Sequence, residues 1–116
     1  MHPNPEIYQM EEAIATFGDE RVVREALKSH REMTAVVEQI SMAWKQGDNE
    51  RFRKGVHWLR GGLSYLHARP LKDVFMDLER LSQLEPQPDL SEALERVRVE
   101  MERLNLCLDA YLSQDC

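Results

Sequence analysis

The sequence is poor in the residues that mark several large classes of protein. Two cysteines, Cys107 and Cys116, are too few for a disulfide framework and wrongly spaced for a zinc knuckle, so reduced thiols are expected. Nowhere do about 18 apolar residues run together, which leaves no candidate for a helix that spans a bilayer. The opening MHPNPEIYQM lacks both the basic start and the apolar stretch of a secretory signal, and a cytoplasmic location is the expectation. Basic residues are outnumbered, 15 Lys and Arg against 21 Asp and Glu, for a formal charge of −6. Such a balance argues against nucleic acid as a partner, because phosphate-backbone binding relies on a basic surface that displaces counterions. With 116 residues, one core is affordable and two are not, so a single domain over residues 1–116 is expected.

Proline and glycine are also sparse, five of each, and they punctuate the chain unevenly. Between them the apolar residues recur every three or four positions rather than alternating, which predicts helices throughout and no strand. Ile7, Met10, Ile14 and Phe17 trace a short helix over 6–17, closed by Gly18 and followed by Asp19 as the next N-cap. A long helix over 20–46 carries Val23, Leu27, His30, Thr34, Val37 and Trp44 on one stripe, widened by Val22, Ala26, Met33, Val36 and Ile40. Gly47, Asp48 and Asn49 supply its stop and the next cap. A helix over 49–68 then presents Phe52, Val56, Leu59, Leu63 and Leu66, and one over 70–84 presents Leu71, Val74, Phe75, Leu78 and Leu81 behind Pro70. After the linker Glu85–Pro88, a last helix over 90–113 repeats Leu90, Leu94, Val97, Met101, Leu104, Leu108 and Tyr111 at heptad-like spacing. The economical fold is all-α, an antiparallel up-and-down four-helix bundle with a short N-terminal capping helix, because each stripe needs partners and the connections are short.

The informative stretch runs from Val56 to Leu71. At about 100° per residue, His57, Arg60, Gly61 and Ser64 share one face of the helix over 49–68, which Ala68 continues, while Arg53 and Lys54 flank it one turn before the histidine. The apolar stripe points elsewhere, so His57 is expected to face solvent. Paired glycines inside a helix cost about 0.8–1.0 kcal/mol each relative to alanine, and that cost needs a compensating use. Gly61, one turn beyond His57, removes any side chain that would obstruct a protein approaching the imidazole. Between Lys45 and Lys72 seven cations stand against two carboxylates, a local excess of positive charge in an acidic chain.

These ingredients suit phosphoryl chemistry. A neutral imidazole is a nucleophile toward phosphorus, and Arg60, Arg53 and Lys54 can stabilise the oxygens of a phosphoryl group placed on it. No phosphate-binding loop, acidic pair for magnesium or general base accompanies them, and no ATP-binding motif is present. The residues can hold a phosphoryl group, and a partner must activate it. Other histidines fit quieter roles. His30 lies on the core stripe as a satisfied, partly buried side chain, and His67 sits where the dipole of a helix C-terminus favours a cation. No metal site is expected, since the histidines occupy different faces. Trp58 and Tyr65 fit either core or partner contact, Cys107 fits a buried free thiol, and Cys116 a frayed terminus.

The run His57, Trp58, Leu59, Arg60, Gly61, Gly62, Leu63, Ser64, Tyr65, Leu66, His67 resembles the signature of histidine phosphotransfer (HPt) domains. In that signature histidine is followed by any residue, Leu, Lys, Gly and a small or polar residue, with a later Leu and Gly. The likeness extends over roughly 7–84 and includes the Gly47–Asp48 turn. It implies a bundle with an exposed phospho-accepting histidine, His57, and reversible transfer with the aspartates of response-regulator receiver domains fed by a hybrid sensor kinase. It also implies magnesium on the receiver and no cofactor or kinase activity in this chain, which is expected to act as a monomer. By motif position Arg60 replaces the usual lysine, Gly61 is the docking glycine together with Ser64 and Ala68, and His67 replaces the later glycine. The alternatives are an unphosphorylated module that docks or sequesters a response regulator or other protein, and a helical oligomer built on the last helix.

Overall fold

A computed structural model describes residues 2–113, and every regular element among them is a helix. In chain order these are α1 (Met10–Phe17), α2 (Glu20–Lys28), α3 (Arg31–Lys45), α4 (Asn49–Leu63), α5 (Arg69–Ser82) and α6 (Ser91–Leu112). Their ends follow local chemistry. Gly18 adopts φ 84° and returns its N–H to the Ile14 carbonyl, stopping α1. Asp19 and Asp48 accept from the backbone N–H groups of Arg21 and Arg51 at 2.7 and 3.1 Å, opening α2 and α4. Asp89 accepts from both the backbone N–H and the hydroxyl of Ser91 at the start of α6.

The helix expected over 20–46 is interrupted at Ser29 and His30. Backbone bonds tighten there to the three-residue spacing, from Ser29 N–H to Ala26 O and from His30 N–H to Leu27 O. The Ser29 hydroxyl and the His30 ring reach back to the same two carbonyls, drawing them out of the α-helical ladder. Val22 and Ala26, expected on the buried stripe, are exposed.

The expected stripes of the later helices face the core: Phe52, Val56, Leu59 and Leu63 on α4, Leu71, Phe75 and Leu78 on α5, and Leu94, Val97, Met101, Leu104, Leu108 and Tyr111 on α6 are buried, while Val74 and Leu81 are only partly so. They join one apolar cluster with Val23, Leu27, Val37 and Ile40. Burial of this kind, at roughly 25 cal/mol per Å² of apolar surface, is what drives the association of the helices. α3 packs along α4, α5 along α6, and α6 also touches α2 and α3. Gly55 of α4 faces Ile40 and Val36 of α3, and Gly62 faces Met33, so the two helices run in opposite directions.

α1 and its leader cover the connection between α4 and α5. Gln9 donates its backbone N–H to the His67 carbonyl at 2.8 Å, and its side-chain oxygen accepts from the Arg69 N–H at 2.9 Å. Arg69 in turn grips Glu12 through both carboxylate oxygens. Tyr8 is buried beside this junction, and burial pushes its phenol up to about 12.

Candidate functional site

The site stands on the outer face of α4. Its inner stripe anchors the helix in the core, and the 3.6-residue period then turns the intervening positions outward. His57, Arg53, Lys54, Arg60, Gly61 and Ser64 are all exposed. A Cβ added at Gly61 would meet nothing within 4 Å, so the surface one turn beyond His57 is open backbone. The Ser64 hydroxyl donates to the Gly61 carbonyl at 2.6 Å and satisfies one of the last acceptors of the helix.

Two expectations about this helix need correcting. α4 ends at Leu63 rather than near residue 68, so Gly61 and Gly62 occupy its last turn instead of its middle. Ala68 lies beyond the helix and is 1% exposed, packed in the core just before α5, so it is removed from the exposed face and from any docking surface. Leu66 remains buried although it is no longer helical, which is why the apolar period continued across the unwound connector.

The cations differ in how they are held. Lys54 Nζ lies 3.0 Å from Glu50 Oε1 one turn back on α4, and Arg60 Nε lies 3.7 Å from Glu79 Oε2 on α5. Among the described residues Arg53 forms no ion pair. Trp58 and Tyr65, undecided between core and surface, are both exposed, Tyr65 at 73%. With Phe17, Val23, Met33 and Gly62 they line a shallow cavity of about 320 Å³ beside the site.

The other histidines are engaged elsewhere. His30 is buried, its Nδ1 bonded to the Leu27 carbonyl and its Nε2 2.7 Å from the Asn105 side-chain oxygen. Asn105 Nδ2 donates onward to Thr34 at 2.9 Å, so the ring is part of a structural network. His67 does not lie within the last turn of a helix as expected. It sits in the connector, edge-on to Phe17 with ring centroids 6.1 Å apart. Partial burial, reinforced by Lys72 and Arg69, pulls its pKa below the ordinary value, so the neutral ring is favoured and the dipole role lapses. Cys107 is a free thiol but half-buried rather than buried, and Cys116 lies outside the described residues.

Sequence reasoning passed over two contributors. Gly55 is the close-contact point between α3 and α4, where a Cβ would overlap Ile40 Cγ2. Glu79 is the carboxylate that partners Arg60 from the neighbouring helix. Its only sequence signal is its place beside Leu78 on the inward stripe of α5. Among the described residues no three His, Cys, Asp or Glu side chains cluster to hold a metal ion, and no helix is long and apolar enough to cross a membrane.

The arrangement therefore presents one accessible imidazole on the outer face of α4, with three exposed cations on the adjoining turns and bare backbone alongside. It can bind an anion and accept an electrophile. A family model described as the Hpt domain matches residues 28–113, well over half of the chain. No curated protein and no solved structure matches it.

Proposed function

Because the chain belongs to the Hpt domain family, whose members are phosphotransfer intermediates that interact with receiver domains in phosphorelays, we propose that His57 is its phospho-accepting residue. It accepts a phosphoryl group from a phosphorylated receiver aspartate and passes it to another receiver, with a hybrid sensor kinase upstream. The observation that carries this is the exposed His57 on α4, one turn ahead of the open Gly61 surface.

In the transfer, the lone pair of the unprotonated ring nitrogen forms a P–N bond as the P–O bond to the receiver carboxylate breaks. The electron pair leaves with that carboxylate, and the second ring nitrogen keeps its proton. Arg60, Arg53 and Lys54 stabilise the phosphoryl oxygens, while Gly61 and Ser64 leave room for the receiver to close on the site. Magnesium and the groups that activate phosphorus belong to the receiver, so the chain acts without kinase activity or a cofactor of its own. An antiparallel four-helix arrangement, a monomeric state and a cytoplasmic location complete the proposal.

The test is to mix the protein with a phosphorylated receiver and magnesium and follow the label. An acid-labile, base-stable product is expected, and His57→Gln should abolish it. Full labelling of that variant overturns the assignment, and binding without label would leave a docking module in its place.

A further inference from the structure

Two of the cations beside His57 already hold carboxylates, and those carboxylates are not alike. Glu50, the partner of Lys54, is 77% exposed on α4 itself and free to swing into water. Glu79, the partner of Arg60, has a side chain only 21% exposed and projects from α5, where Phe75 and Leu78 are fixed in the core. Its reach is set by the packing of α5, so Arg60 meets an anchored anion.

We propose that Glu79 is a positioning residue that holds Arg60 away from the imidazole and thereby lowers the hold of His57 on a phosphoryl group. The proposal rests on His57 being the acceptor. Arg60 follows His57 by three residues on the same helical face, within reach of anything bound to the ring. A phosphoryl group brings up to two negative charges and three acceptor oxygens. To bind them Arg60 must give up Glu79, so its contribution to the phosphorylated form is the difference between two ion pairs rather than the whole of one. The effect is a bias toward onward donation. Tight retention is useless in a relay, and an arginine already engaged by an anchored carboxylate adds less to it than an uncommitted one would.

The experiment uses the full chain with a phosphorylated receiver and magnesium, and reads the equilibrium share of label on His57 and the lifetime of the isolated phosphoprotein. Glu79→Gln should raise both by roughly two- to fivefold, the range that a partly exposed ion pair is worth. Glu79→Asp, which keeps the charge but shortens the arm, should move both the same way by less, and it serves if the glutamine variant melts early. In an Arg60→Gln background, Glu79→Gln should change neither. An unaltered partition in folded Glu79 variants overturns the tether, as does an equal rise when Arg60 is absent. Failure of the wild-type protein to take any label removes the premise about His57 instead, and the tether with it.

Discussion

Gly55 and Gly61 stand six residues apart on different sides of α4, and they serve opposite ends. At Gly55 the missing side chain lets α3 and α4 close until Ile40 fills the space a Cβ would need. At Gly61 an added Cβ would meet nothing within 4 Å outside its own turn of helix. The first glycine fixes the back of the helix against the core, and the second leaves its front bare, the surface on which the proposed function has the receiver dock. The packed back fixes the stretch of backbone that carries His57, so the two sides complement each other.

Alanine at the two positions should have opposite effects. Gly55→Ala places a methyl group against the fully buried Ile40, and overpacking of this kind outweighs the better helix propensity by about 1–2 kcal/mol. Thermal or urea unfolding should show that loss, and Ile40→Leu, which deletes the opposing Cγ2, should recover part of it. A Gly55→Ala protein as stable as the parent would mean that α3 and α4 can separate freely and that the back of the site is not rigid.

Gly61→Ala should do the reverse and stabilise the protein by up to about 1 kcal/mol, less if the last turn frays, because it adds helix propensity and meets no neighbour. A longer side chain at the same position separates access from stability. Gly61→Gln should leave stability near that of alanine while slowing phosphotransfer from a receiver, since the longer side chain stands where the partner closes. Equal transfer rates for glycine and glutamine would leave Gly61 with no role in access, and the asymmetry of α4 would then be one of packing alone.

The outward face of α4 was legible in the sequence because it depends only on helical period: once Phe52, Val56 and Leu59 face inward, His57 and Arg60 cannot. The inward partner of Gly55 was not legible, since nothing local says which residue of α3 comes opposite. The same limit applies to Glu79, whose meeting with Arg60 joins two helices through the fold. The end of α4 was missed for a different reason. Leu66 and Ala68 are buried from the connector as well as they would be from a helix, so apolar spacing alone does not register the unwinding after Leu63. Likewise the break at Ser29 and His30 keeps helical backbone angles, and the His30 ring is tied down by Asn105, distant in sequence.

The smallest expected effect lies where α4 gives way to that connector. His67 has its pKa lowered, first by loss of solvent and then by Lys72 and Arg69, with Glu12 opposing. A histidine whose folded value lies below its unfolded one binds more protons when unfolded, so its contribution is complete above the ordinary value of 6.5 and is lost as pH falls through the folded value. Glu12 is also shifted down, chiefly by its hydrogen bond to Arg69, so its own contribution starts to fall only near its ordinary 4.5. The two therefore separate along the pH axis. Melting temperatures of the parent and His67→Gln should coincide in slope above pH 6.5 and diverge just below it, with the variant flatter, before both fall together in the Glu12 range. Parallel curves throughout would show that the ring against Phe17 is as easily protonated in the folded protein as outside it, and that α1 does not seal the end of α4 from water.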